Sequence, residues 1–262
     1  MLFSHCLGRQ ITVSCNSIPT LYHVNKIIQN CVTNIHLGIV KRLTSPSNCE
    51  NTNQTPLYLD YSPELSVIDE HCSGSDVIIC QNFVNENEEQ NLLLEIESAI
   101  KRLRYQKDHW DDAIHGYRET EKANWNPSNA VIIERIKKFA FPPGSPTMKL
   151  VHVLDLQEDG FIKPHIDSVR FCGNTVAGLS LMTDSVMRFI SASNKSLKID
   201  IFYNILLLSR NVMRYEFTHE ILPNKESFFN GEQVHKSRRI SVICRNEPLR
   251  LTSESSVNDN CK

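Results

Sequence analysis

Two histidines and an aspartate have the types and spacing to hold a metal ion. His165 and Asp167 stand two apart in Phe161-Ile162-Lys163-Pro164-His165-Ile166-Asp167. Residues two apart in an extended strand project to the same side, so this spacing predicts an imidazole and a carboxylate meeting at one point. Pro164 fixes the backbone just before the pair. His219 follows much later in Arg214-Tyr215-Glu216-Phe217-Thr218-His219, which reads as a strand. Two imidazoles and one carboxylate leave several coordination positions open, the facial arrangement of non-haem Fe(II) oxygenases. A hydrolytic zinc ion with bound water would accept the same three ligands. The triad alone leaves both chemistries open.

A later segment bears on the choice. In Arg238-Arg239-Ile240-Ser241-Val242-Ile243-Cys244-Arg245 the alternation sends Ile240, Val242 and Cys244 one way and Arg239, Ser241, Ile243 and Arg245 the other. Two guanidiniums and a hydroxyl aimed into a β-core are costly unless anions meet them there. The planar fork of arginine binds a carboxylate through two parallel charge-assisted bonds. A dicarboxylate such as 2-oxoglutarate needs such a grip at its far end while its keto-acid end chelates iron. An edge strand with both arginines in solvent is the plainer alternative.

These residues need elements to position them. Asn85 with Glu88 three residues on predicts a helix N-terminus with a capping box. Leu93, Ile96, Ile100 and Leu103 then recur on one helical face. Lys101, Arg102 and Arg104 are expected in its last turn, where the helix dipole favours cations, and read as a solvated helix end rather than an RNA contact. A second helix is expected over Ser128–Phe139, with Ile132, Ile136 and Phe139 inward and Pro142-Pro143-Gly144 as its stop. Short strands are predicted at Lys149–Leu156, Phe161–Ile166, Val176–Met182, Val186–Ile190, Ile201–Leu208, Arg214–His219 and Ile240–Arg245. Helices followed by many short strands predict a mainly β fold, with the helices packed on a sandwich or jelly roll. His152 and Leu154 share a strand face that either looks into the co-substrate pocket or, the plainer reading, makes His152 a satisfied core or rim residue. Asp108-His109-Trp110-Asp111 and Trp125 are candidates for a substrate entrance, or for ordinary packing.

The 262 residues, 40% apolar and 22% charged, suit one globular domain with extensions. A net charge of -2 shows no clustered positive field for nucleic acid. Nine cysteines at irregular spacing, none two residues from another, suit free thiols in a reducing compartment. The longest nearly apolar run, Ile201–Leu208, is far short of the roughly 20 residues that cross a bilayer. No acidic residue precedes Glu50, and the hydroxyl-rich, mildly basic stretch before it has the composition of a mitochondrial transit segment or of a disordered extension. Residues 1–49 are thus expected as a transit segment, 50–76 as a flexible linker, 77–246 as the folded domain and 247–262 as a disordered tail.

The ordered set His165-x-Asp167, His219, then Arg239 and Arg245 resembles the AlkB-type Fe(II)- and 2-oxoglutarate-dependent dioxygenases, and among them a mitochondrial branch. The strings that carry the resemblance include Asp108–Asp111, Arg118–Lys122, Val151–Leu156, Lys163–His165, Phe171–Gly173, Ala177–Leu181 and Arg238–Arg245, and it spans about residues 77–246. The resemblance implies a double-stranded β-helix of the jelly-roll, cupin-like kind. It implies His165, Asp167 and His219 on iron, and Arg239 and Arg245 on 2-oxoglutarate, with O₂ as the oxidant. A family tyrosine about a dozen residues before the second histidine would fall at Leu207. Tyr203, four residues earlier, is the candidate replacement if the register shifts. The implied protein is a monomer of the mitochondrial matrix that oxidises a C–H bond, associated with regulated necrosis and lipid metabolism. A protein side chain is the expected substrate and a modified mitochondrial RNA base the rival. A scaffold in mitochondrial death signalling with a structural iron is the non-enzymatic alternative.

Overall fold

The computed structural model describes residues 40–42, 59–61, 76–202 and 206–248. The first strands are β1 (Val40–Arg42), β2 (Leu59–Tyr61) and β3 (Val77–Cys80), followed by helix α1 (Glu86–Ile100). Next come β4 (Gln106–Asp108), β5 (Ile114–Lys122), helix α2 (Pro127–Ala140) and the long β6 (Val151–His165). The chain continues through β7 (Thr175–Leu181), β8 (Val186–Ser191), β9 (Lys198–Phe202), β10 (Leu206–Arg210) and the short helix α3 (Asn211–Tyr215). It ends with β11 (Phe217–Ile221), β12 (Phe228–Phe229), β13 (Glu232–Gln233) and β14 (Arg239–Arg245).

The strand ladder runs β1-β3-β10-β7-β14-β6-β11-β8-β9-β2, with β5 and β4 paired beyond β6. All of these pairings are antiparallel except β1 with β3. The ladder curls into two facing layers, a jelly-roll double-stranded β-helix. Strand β6 belongs to both layers: its first half pairs with β14 (Ile243 opposite His152, Arg239 opposite Leu156) and its end pairs with β11 (His219 opposite His165). The switch occurs at Gly160, where an added Cβ would lie 2.6 Å from the Gly116 carbonyl oxygen and 2.8 Å from that of His115. Gly116 itself adopts φ 64, which L side chains rarely adopt, and the β5–β6 register shifts between His115 and Tyr117.

Alternation sorts the side chains. Ile240, Val242 and Cys244 lie under the helices, packed with Ile96 and Ile100 of α1 and Ile132 and Ile136 of α2. The opposite face looks between the layers, where Leu154, Phe189, Leu207 and Ile221 belong to a second apolar cluster. The capping box at α1 forms as the sequence predicts: Glu88 N donates to Asn85 Oδ1 and Asn85 N to Glu88 Oε2, both at 3.0 Å. Leu92, not Leu93, completes the buried stripe of α1, and Leu103 is exposed. The helix ends at Ile100 with Lys101 as its C-cap, so Arg102 and Arg104 lie beyond its last turn. In α2, Ile132 and Ile136 are buried as expected, while Phe139 is only partly so.

Other expectations change. The two strands expected at Lys149–Leu156 and Phe161–Ile166 are one bent strand, because Gly160 lets the backbone turn without breaking its pairing with β5. The strand expected over Ile201–Leu208 is two: β9 pairs with β8 in one layer and β10 with β7 in the other. Residues 203–205, with the candidate Tyr203, lie outside the described residues. Arg214 and Tyr215 sit in α3 rather than a strand. Asn211, at φ 44, opens that helical turn between the layers. Strands β1 and β2 pair with the sheet from within the segments expected as transit peptide and linker. Glu247, expected in a loose tail, donates its N–H to the Pro146 carbonyl at 2.9 Å. Residues 249–262 lie outside the described residues. No helix among the described residues is long and apolar enough to cross a membrane.

Candidate metal centre and co-substrate pocket

His165 closes β6, His219 faces it from the middle of β11, and Asp167 stands in the loop just past the strand end. The His165 Nε2 lies 3.4 Å from Asp167 Oδ1, and His219 Nε2 lies 3.9 Å from the same oxygen. One ligand atom from each residue falls within 4.8 Å of the others, close enough for all three to clasp one ion. His165 Nδ1 donates to the Lys163 carbonyl at 2.9 Å, which directs Nε2 toward the centre. The convergence foreseen from the strand spacing is present, although Asp167 reaches it from a loop.

That loop is held from below. Arg214, 3% exposed, donates from Nη1 to the Asp167 carbonyl at 2.8 Å, and its Nη2 lies 2.9 Å from Cys172 Sγ. Burial works to raise the Asp167 carboxyl, but the hydrogen bond to His165 and the charges of His219 and Arg245 outweigh it and hold it far below the usual range. His219 is pulled down to about 4, chiefly by burial. Burial also opposes charge on His165, yet Asp167 more than offsets it and raises this imidazole. The site therefore sets one ionised carboxylate between two imidazoles whose proton affinities the surroundings push in opposite directions.

Behind the triad lies a cavity of about 120 Å³. Arg239, Ser241, Ile243 and Arg245 line it, as the alternation of β14 predicts, and Leu207 contributes to its wall. Arg239 is 2% exposed, and its Nε donates to Ser180 Oγ at 2.9 Å. Ser241 Oγ and Arg245 Nε are buried without a hydrogen-bond partner among the described residues. A buried donor left unmade costs about 1–3 kcal/mol, so these groups fit a carboxylate placed in the cavity. The Arg214 side chain also lines the cavity, and its Nε too is buried and unpartnered. Sequence reasoning missed Arg214, because only α3 turns it inward. It also missed Glu119, whose Oε2 lies 2.8 Å from His152 Nε2, while His152 Nδ1 lies 3.0 Å from Arg245 Nη2.

The two entrance candidates separate. Trp110 is 86% exposed, and its neighbour Asp111 acts electrostatically on His165, so that loop lies beside the metal centre. Trp125 packs against the helix-side core under Lys122. Asp108, Asp112 and His115 form a second close group, but Lys163 Nζ already meets Asp112 at 2.6 Å.

A curated protein of Bos taurus, "Alpha-ketoglutarate-dependent dioxygenase alkB homolog 7, mitochondrial", is 44% identical over 173 residues, 65% of this chain and 78% of the relative. The Mus musculus protein of the same name is 45% identical over 175 residues, 66% of this chain and 79% of its own length. Among solved structures, one titled "The structure of OsALKBH1" aligns with a TM-score of 0.49 at 13% identity, covering 65% of this chain and 97% of that one. No protein-family model matches.

Proposed function

The chain belongs to the AlkB-type Fe(II)- and 2-oxoglutarate-dependent dioxygenases, and from that premise we propose that His165, Asp167 and His219 hold its iron and Arg239 and Arg245 its 2-oxoglutarate. It is a mitochondrial enzyme that uses Fe(II), 2-oxoglutarate and O₂. Bound Fe(II) with its co-substrate and O₂ supplies the oxidant for an inert C–H bond, with succinate and CO₂ as the by-products. The chain's own residues bind, orient and exclude water. Held by His165, Asp167 and His219, an ion would keep coordination positions for the co-substrate and O₂. Arg239 and Arg245 meet negative charge inside a cavity walled by Met187, Phe189 and Leu207, where electrostatic attraction is little screened. Arg214 holds the backbone of Asp167 in place.

The observation that carries this reading is the pair of arginines, with an unpartnered hydroxyl and an unpartnered guanidinium N–H, opening on one cavity beside three converged metal-type ligands. A zinc hydrolase has no need of that cationic wall. Anaerobic titration tests the assignment. His165→Ala should lose Fe(II) binding. Arg239→Ala should keep iron but weaken 2-oxoglutarate at least tenfold, about 1.4 kcal/mol or more. Unchanged binding in both variants would overturn it.

The substrate in this reading is a protein side chain in the mitochondrial matrix, acted on by a monomer. The rim beside His165 carries the Asp111 carboxylate, a charge that disfavours a phosphate backbone there. Mass spectrometry of protein and RNA from mitochondria lacking the enzyme checks this. Methylated bases accumulating with no protein change would replace the protein substrate by RNA. Rescue of such cells by a folded, iron-dead variant would instead favour a scaffold. Residues 77–246 form the catalytic unit in this reading. Residues 1–49 hold the targeting segment in this reading, an acid-free stretch before Glu50.

A further inference from the structure

We propose that His152 is a positioning residue that keeps Arg245 available to 2-oxoglutarate by standing between it and Glu119. The inference rests on the assignment of Arg245 to the co-substrate. Strands β5 and β6 are paired with Glu119 opposite Leu154, which sets it diagonal to His152, and His152 lines the cavity together with Arg245 of β14. His152 Nε2 lies 2.8 Å from Glu119 Oε2, and Nδ1 lies 3.0 Å from Arg245 Nη2.

Only one arrangement of protons satisfies these contacts. A guanidinium donates and never accepts, so Nδ1 must be the acceptor. The ring proton then sits on Nε2 and is donated to the Glu119 carboxylate. Glu119 is further braced by His109 Nε2, 3.8 Å from its other oxygen, and His109 Nδ1 is in turn held by Asp111 at 2.6 Å. The imidazole thus occupies one N–H of Arg245 and leaves its Nε, buried and without a hydrogen-bond partner among the described residues, for the cavity.

The consequence is electrostatic. Glu119 already feels the charge of Arg245. Without an intervening ring, the flexible arginine can close on that carboxylate in a bidentate pair, and a carboxylate of the co-substrate must then compete for it. His152 satisfies both partners at once and prevents the internal pair from forming.

The experiment is anaerobic titration of 2-oxoglutarate into Fe(II)-loaded protein, read by the charge-transfer absorption of the chelate, alongside thermal melting. His152→Ala should weaken 2-oxoglutarate by about tenfold or more, while Fe(II) affinity is retained. Adding Glu119→Gln to that variant should recover most of the loss, because the competing charge is gone. His152→Asn, whose side-chain oxygen can take the place of Nδ1, should bind within about threefold of wild type, and His152→Gln should resemble His152→Ala. The proposal is overturned if His152→Ala binds as wild type does, or if Glu119→Gln brings no recovery. If His152→Ala does not fold, the Asn and Gln variants decide, and equal effects overturn it. Arg239→Ala separates the two layers of argument: if it too leaves 2-oxoglutarate binding unchanged, the assignment of the pocket fails and the role of His152 with it, whereas if it alone weakens binding, only the role of His152 fails.

Discussion

At the scale of single residues, adjacent charges do unlike work because β geometry sends them to opposite faces. Arg238 turns to the helix side, where it donates to both oxygens of fully buried Asp155 and to Glu97 of α1. Arg239, its neighbour, faces the cavity. Lys236 is buried as well, 0% exposed, and its Nζ donates to the carbonyls of Gln157 at 2.8 Å and Glu158 at 2.7 Å. It ties the turn-like part of β6 to the segment entering β14. Burial first, and then the charge of Arg239, pulls its ammonium down to about 8 from its ordinary 10.5. Between those two values the unfolded chain holds a proton that the folded chain has released, so stability should rise as pH increases from about 8 to 10.5. Denaturant melts of wild type and Lys236→Met across that window check the sign. The wild type should gain on the variant as pH rises, and a constant difference would refute the link to Lys236.

At the scale of elements, the bend in β6 decides whether a site exists. Its first half carries His152 beside β14 and its last residue is His165 beside β11. Gly160 permits the change of partner because its missing side chain admits the carbonyls of Gly116 and His115. Gly160→Ala forces backbone against backbone and should cost about 1–3 kcal/mol, the usual range for overpacking. It should also weaken Fe(II) binding, since His165 rides on the displaced half. Chemical denaturation and metal titration on the same variant measure both effects. An unaltered metal affinity beside a full loss of stability would uncouple the bend from the centre. The sequence marks this turn only as Glu158-Asp159-Gly160. The clash that makes the glycine necessary comes from β5, more than forty positions upstream, and no local pattern contains it.

At the scale of the whole molecule, the helices cover one face of the larger layer and leave the other to the cavity. The apolar cluster between the layers therefore adjoins a group of unpartnered polar atoms. A ligand that meets those atoms binds only the folded state and must stabilise it. With Mn(II) as a redox-silent substitute and 2-oxoglutarate at about one hundred times its dissociation constant, the gain should be about 2.7 kcal/mol. That corresponds to several degrees in the melting temperature of a domain of this size. Arg239→Ala should abolish the part of the shift due to 2-oxoglutarate. A shift of full size in that variant would place the co-substrate elsewhere.

The sequence by itself determined the class of fold, the capped first helix, the sorting of β14 into an apolar and a cationic face, and the meeting of His165 with Asp167. Each of these depends on a local period or on residues a few positions apart, and short-range geometry carries that information. The tertiary structure alone decided that Arg214 turns inward from a helix, that β9 and β10 pair in different layers, and that His152 stands between Glu119 and Arg245. Those relations join strands distant in sequence, and the register of one strand against another follows from the packing of both faces at once. No periodicity along the chain records it.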